Sequence, residues 1–149
     1  MIPPQTNKRR PIVEYVAIVT GLTLLQVFIF SIQVGQQRGK HDVKAPAVTG
    51  HPEFERAYRI HQNTIEQVII FLPSLWIFAT YWRPDIAAGL GLLFIVGRQV
   101  YRGAYMEDPT KRAAGFATGA IAILVLLVGG LTVSYTHLRA HETDSYLVC

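Results

Sequence analysis

Seven polar side chains, most of them able to grip or polarise an anion, recur at helical spacing in this chain. Arg59, Asn63 and Glu66 fall at 0, +4 and +7, and Arg98, Tyr101 and Tyr105 fall at 0, +3 and +7, so each set projects from one helix face. Arg112 follows Tyr105 by seven residues. A guanidinium keeps its charge in low dielectric, and its planar fork meets a carboxylate through two hydrogen bonds. Arg59–Glu66 or Glu66–Arg98 ion pairs that merely fix helix register are the competing reading. Glu66 is, however, the main acid against Arg59, Arg98 and Arg112, and such a surplus of cations in one pocket asks for an anion.

The elements that must carry these residues are membrane helices. Of 149 residues, 50% are hydrophobic and only 16% charged, outside the balance of a soluble domain. Residues 12–34 are almost wholly apolar and open with Pro11, long enough to cross about 30 Å of hydrocarbon. Lys8, Arg9 and Arg10 resemble the basic start of a signal peptide, but the apolar run is too long for one and no small-residue cleavage site follows, so an uncleaved span is expected. The pattern predicts an all-α membrane protein, a four-transmembrane-helix bundle in one domain over residues 1–133, with helices at about 11–36, 53–82, 85–106 and 110–133. The charges on the second helix cannot face lipid, where each costs from about 3 to well over 10 kcal/mol. They must face protein or a water-filled cavity. A bundle this small encloses little interior, so oligomerisation is the expected state.

Lysine and arginine counts orient the bundle. Arg38, Lys40, Lys44, Arg56, Arg102, Lys111 and Arg112 flank the first and third loops, against Lys8, Arg9, Arg10 and Arg83 on the other side, which puts those loops in the cytoplasm. The net charge of +4 comes with no basic stretch interleaved with aromatics, so no nucleic-acid partner is expected. Cys149, the one cysteine, cannot form an intrachain disulfide. Residues 134–149 are polar, unlike what precedes them, and read as an adapter- or vector-derived tail. In that tail His137, His141 and Glu142 lack the zincin order, so no metal is expected there or elsewhere.

Two segments carry a resemblance: Glu53-Phe-Glu-Arg-Ala-Tyr-Arg-Ile-His-Gln-Asn-Thr-Ile-Glu and Gly89-Leu-Gly-Leu-Leu-Phe-Ile-Val-Gly-Arg-Gln-Val-Tyr-Arg-Gly-Ala-Tyr. They resemble the membrane-associated proteins in eicosanoid and glutathione metabolism, the MAPEG family, over about residues 12–133. The run from His61 to Glu66 is most similar to the microsomal glutathione transferase branch, including its bacterial members. That resemblance implies a homotrimer in a bacterial inner membrane, with glutathione bound as co-substrate between neighbouring subunits near the cytoplasmic face. It implies glutathione contacts from Arg38, Arg59, His61, Asn63, Glu66, Arg98, Tyr101 and Tyr105. Arg112 is implied as the catalytic cation that stabilises the thiolate, with Tyr101 as a secondary candidate. The implied reaction is attack on a lipophilic electrophile or lipid hydroperoxide. A non-catalytic lipid- and glutathione-binding scaffold is the alternative in the same family.

Three positions depart from the leukotriene synthase pattern. His61 replaces a glutamine, Gln67 a tyrosine and Gly39 a second arginine, which argues against specific leukotriene synthesis and leaves general conjugation or peroxide reduction. Trp76, Tyr81 and Trp82 read as interfacial anchors or packing residues. Gly89, Gly91 and Gly97 read as close helix-packing positions rather than a phosphate loop.

Overall fold

In a lipid environment every backbone N–H and C=O must be satisfied within the chain, so long apolar runs become helices whatever their β-branched content. The computed structural model describes residues 10–146 and comprises α1 (Arg10–Lys40), α2 (Pro52–Tyr81), α3 (Pro84–Glu107), a 3-10 turn (Pro109–Arg112) and α4 (Ala113–Tyr146). The side chains of His137, His141 and Glu142 lie outside the described residues.

Helix ends follow local chemistry. Pro52 occupies the first position of α2, where a missing N–H costs nothing, and Glu53 and Glu55 place negative charge at the helix start. His51 Nδ1 accepts from the Glu53 backbone N–H at 3.3 Å. Between α2 and α3 stand only Trp82 and Arg83, and Pro84 opens α3, so the two helices must run antiparallel. Arg83 clamps Asp85 through two bonds of 2.9 and 2.6 Å.

Two sequence-based boundaries move. The first helix runs past residue 36 to Lys40, carrying Arg38 in its last turn. The fourth runs past 133 to Tyr146, because residues 134–146 change in polarity but contain no proline or glycine to stop a helix. Three stretches are long and apolar enough to cross a membrane: Glu14–Lys40, Pro52–Tyr81 and Pro109–Thr136. α3, expected as a fourth span, falls short of that measure because Arg98 and Gln99 interrupt its apolar run.

The core lies toward the end of the bundle that carries the α2–α3 turn. Phe71 and Phe94 stack with centroids 4.0 Å apart, amid Val16, Leu75, Phe78, Ala87 and Leu126. Close approach needs glycine at particular points. A Cβ on Gly97 would meet the Gly119 backbone nitrogen at 2.9 Å, and one on Gly115 would collide with the Tyr101 backbone, so α3 and α4 touch main chain to main chain. Gly91 likewise abuts Val19, whereas Gly89, expected to pack, has nothing within 4 Å. Large apolar side chains such as Phe28, Ile69, Val96 and Leu131 are exposed along the helices, as lipid or a neighbouring subunit would require. Tyr81 and Trp82 are exposed near the helix end, fitting interfacial anchors, and Trp76, also exposed, donates to Thr20 Oγ1 at 3.1 Å.

Candidate functional site

Because α1 to α4 alternate in direction, the start of α2, the end of α3 and the start of α4 gather at the end that carries the first and third loops. There the two stripes meet. Arg59, Asn63 and Glu66 from α2, Tyr101 and Tyr105 from α3 and Arg112 from the 3-10 turn line one open cavity of about 790 Å³. Pro109, Thr110, Ala113 and Phe116 complete it. The main-chain contact of Gly115 with Tyr101 brings Arg112 close to the tyrosines, and its guanidinium carbon stands 5.7 Å from the Tyr105 ring centroid.

The short turn that carries Arg112 is tied at both sides. Asp108 Oδ1 accepts from the Thr110 backbone N–H at 2.9 Å and from its hydroxyl at 2.8 Å. Those bonds, the backbone one foremost, hold the Asp108 carboxyl below the usual carboxylate range. Across the groove Arg56 Nη1 donates to the carbonyls of Met106 and Glu107 at 2.9 and 3.3 Å, satisfying acceptors at the end of α3.

Among the described residues Arg59, Glu66, Arg98 and Arg112 form no ion pair with one another, so neither register-fixing pair considered from the sequence forms. Glu66 Oε1 accepts only a long 3.4 Å bond from Gln62, and Arg59, Glu66 and Arg112 are exposed to the groove. Two open guanidinium groups, one carboxylate, one amide and two phenols can bind a ligand bearing both carboxylates and an ammonium.

The other expected contacts lie elsewhere. Arg98 is wholly buried and does not line the cavity. It donates to Thr64 Oγ1 at 2.7 Å and to Gln67 Oε1 at 3.3 Å, and lies 4.1 Å from the Tyr101 ring centroid. Arg38 Nη1 donates to the carbonyls of Val43 and Ala47 at 3.1 and 2.9 Å, and the guanidinium stacks on Phe54 at 4.6 Å, bracing the first loop. His61 is half-buried, two residues and so roughly half a turn from Arg59, on the far side of α2 from the cavity.

The cavity opens two ways. Along the helices, an apolar groove of about 390 Å³ between α2 and α4 shares Asn63, Glu66 and Phe116 with it and continues along Ile70, Ile123, Leu124 and Leu127. Toward the loops, a second space of about 390 Å³ shares Arg59, Tyr105 and Pro109 and is bounded by Thr49, Glu55, Arg56 and Tyr58. Sequence reasoning missed Thr110 and Phe116. Phe116 stands one helical turn beyond Arg112 and so shares its face, a spacing that could have found it. Nothing in the sequence marked Thr64 and Gln67 as the acceptors of Arg98. Among the described residues no group of three or more His, Cys, Asp or Glu could hold a metal ion.

The MAPEG family profile matches residues 16–132. The chain belongs to that family. Microsomal glutathione S-transferase 2 of Homo sapiens is 41% identical over 133 residues, covering 88% of this MAPEG chain and 86% of the relative. Leukotriene C4 synthase of Cavia porcellus is 37% identical over 117 residues, covering 76% and 78%. An uncharacterized protein of Synechocystis sp. is 42% identical over 123 residues, covering 83% and 90%. The matched span of the MAPEG profile contains every residue of the cavity and ends just before the polar tail.

Proposed function

We propose that this MAPEG protein is a glutathione-dependent transferase and peroxidase of the membrane, acting on lipophilic electrophiles and lipid hydroperoxides. The observation that carries the reading is the single cavity in which Arg59, Asn63, Glu66, Tyr101, Tyr105 and Arg112 converge without internal ion pairs, continuous with an apolar groove. Glutathione brings two carboxylates, an ammonium and a thiol. Arg59 takes a carboxylate, Glu66 the ammonium, and Asn63 and Tyr105 hydrogen-bond the peptide.

Arg112 works at the sulfur. A cysteine thiol with pKa of about 8.5 is mostly protonated at neutral pH, and a neighbouring cation favours the thiolate. With an aromatic halide the thiolate forms a C–S bond as halide leaves. With a hydroperoxide, attack on the O–O bond releases the alcohol, and a second glutathione then gives the disulfide and water. Tyr101 is a secondary hydrogen-bond donor to the sulfur. The apolar groove beside Glu66 and Phe116 admits the second substrate from the bilayer.

The site is completed by a homotrimer in the inner membrane of a bacterium, with all four helices crossing and the first and third loops cytoplasmic. Charged side chains on an open groove at membrane depth need cover, and the exposed apolar helix faces supply the means. His61 fits this arrangement as a contribution from a neighbouring subunit, since it lies on the far side of α2 from its own cavity, and Arg38 would join it on giving up its bonds to the Val43 and Ala47 carbonyls.

Purified protein in detergent, given glutathione and a generic aromatic electrophile, should show thiolate absorbance and turnover. Absence of both in the wild type overturns the enzyme reading and leaves the lipid- and glutathione-binding scaffold. Unchanged activity in Arg112→Ala overturns only the role of Arg112.

A further inference from the structure

Arg98 is the largest side chain that the fold buries completely, at 0% exposure, while the cavity arginines are open. Each contact it makes is to a neutral group: the Thr64 hydroxyl, the Gln67 amide oxygen and the face of Tyr101. Thr64 passes its own hydrogen to Ile60 O at 2.7 Å, so it can only accept from Arg98. Arg98 Nε has no partner, and among the described residues no carboxylate lies within ion-pair distance.

Such an arrangement is a poor way to hold helices together. A buried guanidinium loses its hydration, and neutral acceptors restore only part of that loss; an apolar side chain of similar volume packs there at no such cost. The fold nevertheless makes room for the charge. A Cβ on Gly119 would press on Gln67 Oε1 at 3.3 Å, while Arg98 Cδ would stand at an ordinary contact distance of 3.8 Å, so the glycine leaves space for the acceptor of Arg98. Tyr101 has the guanidinium against its ring and also lines the cavity, which puts the unneutralised charge one aromatic ring behind the cavity wall.

We propose that Arg98 is a positioning residue whose buried, unneutralised charge acts through the cavity wall to favour an anionic ligand, the glutathione thiolate above all. The inference rests on the reading of the cavity as a glutathione site. Arg98 never touches the ligand. Its field crosses a low-dielectric wall with little screening, and the missing counter-charge arrives with the bound anion. The charged and titratable groups sharing that space are Arg59 and Glu66 from α2, Tyr101 and Tyr105 from α3, and Arg112 from the turn before α4. Thr64 and Gln67 fix the guanidinium, and through it the Tyr101 ring, against α2.

The test is the pH midpoint of glutathione thiolate absorbance on the full chain in detergent, with thermal unfolding measured in parallel. Arg98→Met should raise the midpoint by about one pH unit, a tenfold loss of thiolate at neutral pH, without lowering the melting temperature. Arg98→Lys should recover most of the wild-type midpoint. Gln67→Glu keeps the arginine but sets a carboxylate against it, and should raise the midpoint as the methionine variant does. A folded Arg98→Met with the wild-type midpoint overturns the inference, and so does an unshifted Gln67→Glu should the methionine variant fail to fold. A wild-type protein that forms no thiolate overturns the glutathione reading itself, an outcome distinct from either.

Discussion

The two ends of the bundle are built on opposite terms. Around Phe71, Phe78 and Phe94 the helices interlock through rings and glycines, with Gly129 so close to Phe78 that a Cβ there would meet its ring at 2.6 Å. At the loop end the same helices part around about 790 Å³ of open space lined by charges that form no ion pair with one another. One end spends its side chains on contact, the other leaves them open to a ligand. The contrast teaches where stability resides and where ligand energy is collected, because a group already paired inside the protein has little left to give to a substrate.

That division can be broken from either side. Removing the ring in Phe71→Ala leaves a cavity in the packed end and should cost about 3 to 5 kcal/mol of stability, read as a lower melting temperature in detergent. The pH midpoint of thiolate formation should stay where it is, and a shift would show that the two ends are coupled. At the open end Arg112→Ala should lower conjugation by about a hundredfold, as loss of one group stabilising a developing anion typically does, with the melting temperature unchanged.

Smaller effects sharpen the same contrast. Glu66→Gln should raise the KM for glutathione about tenfold with little change in kcat, since the carboxylate is assigned to the ammonium in ground and transition state alike. The smallest effect belongs to Asp108. Its carboxyl is depressed in the folded protein, so the order it gives the turn is fully present above the ordinary carboxylate pKa of about 4 and is lost as pH falls through the depressed value. Between pH 5 and 8 this group should leave activity flat. Asp108→Ala should speed hydrogen exchange at the Thr110 amide and lower activity less than twofold, and a large loss would place the turn among the parts that the packed end does not hold.

Much of the site was legible because helical spacing is a short-range property. Arg59, Asn63 and Glu66 had to share a face of α2, and Tyr101 and Tyr105 a face of α3, once those segments were helices. Helix existence was equally legible, since a bilayer leaves an apolar run no other way to satisfy its backbone. The end of α4 was not, because the change of composition at residue 134 signals polarity while helix termination requires a breaker or a cap.

What the sequence alone determined, then, is the all-helical character of the chain, the polarity of its helix faces and the excess of arginine over acid among Arg59, Glu66, Arg98 and Arg112. Only the tertiary structure decided how those arginines divide. Arg98 lies on the same stripe as Tyr101, yet a main-chain approach of α3 to α4 at Gly97, Gly115 and Gly119 turns it inward onto Thr64 and Gln67, while Arg112 stays open to the groove. Spacing along one helix says which side chains travel together. How closely a second helix comes, and so which of them it covers, is fixed by contacts between residues far apart in the chain.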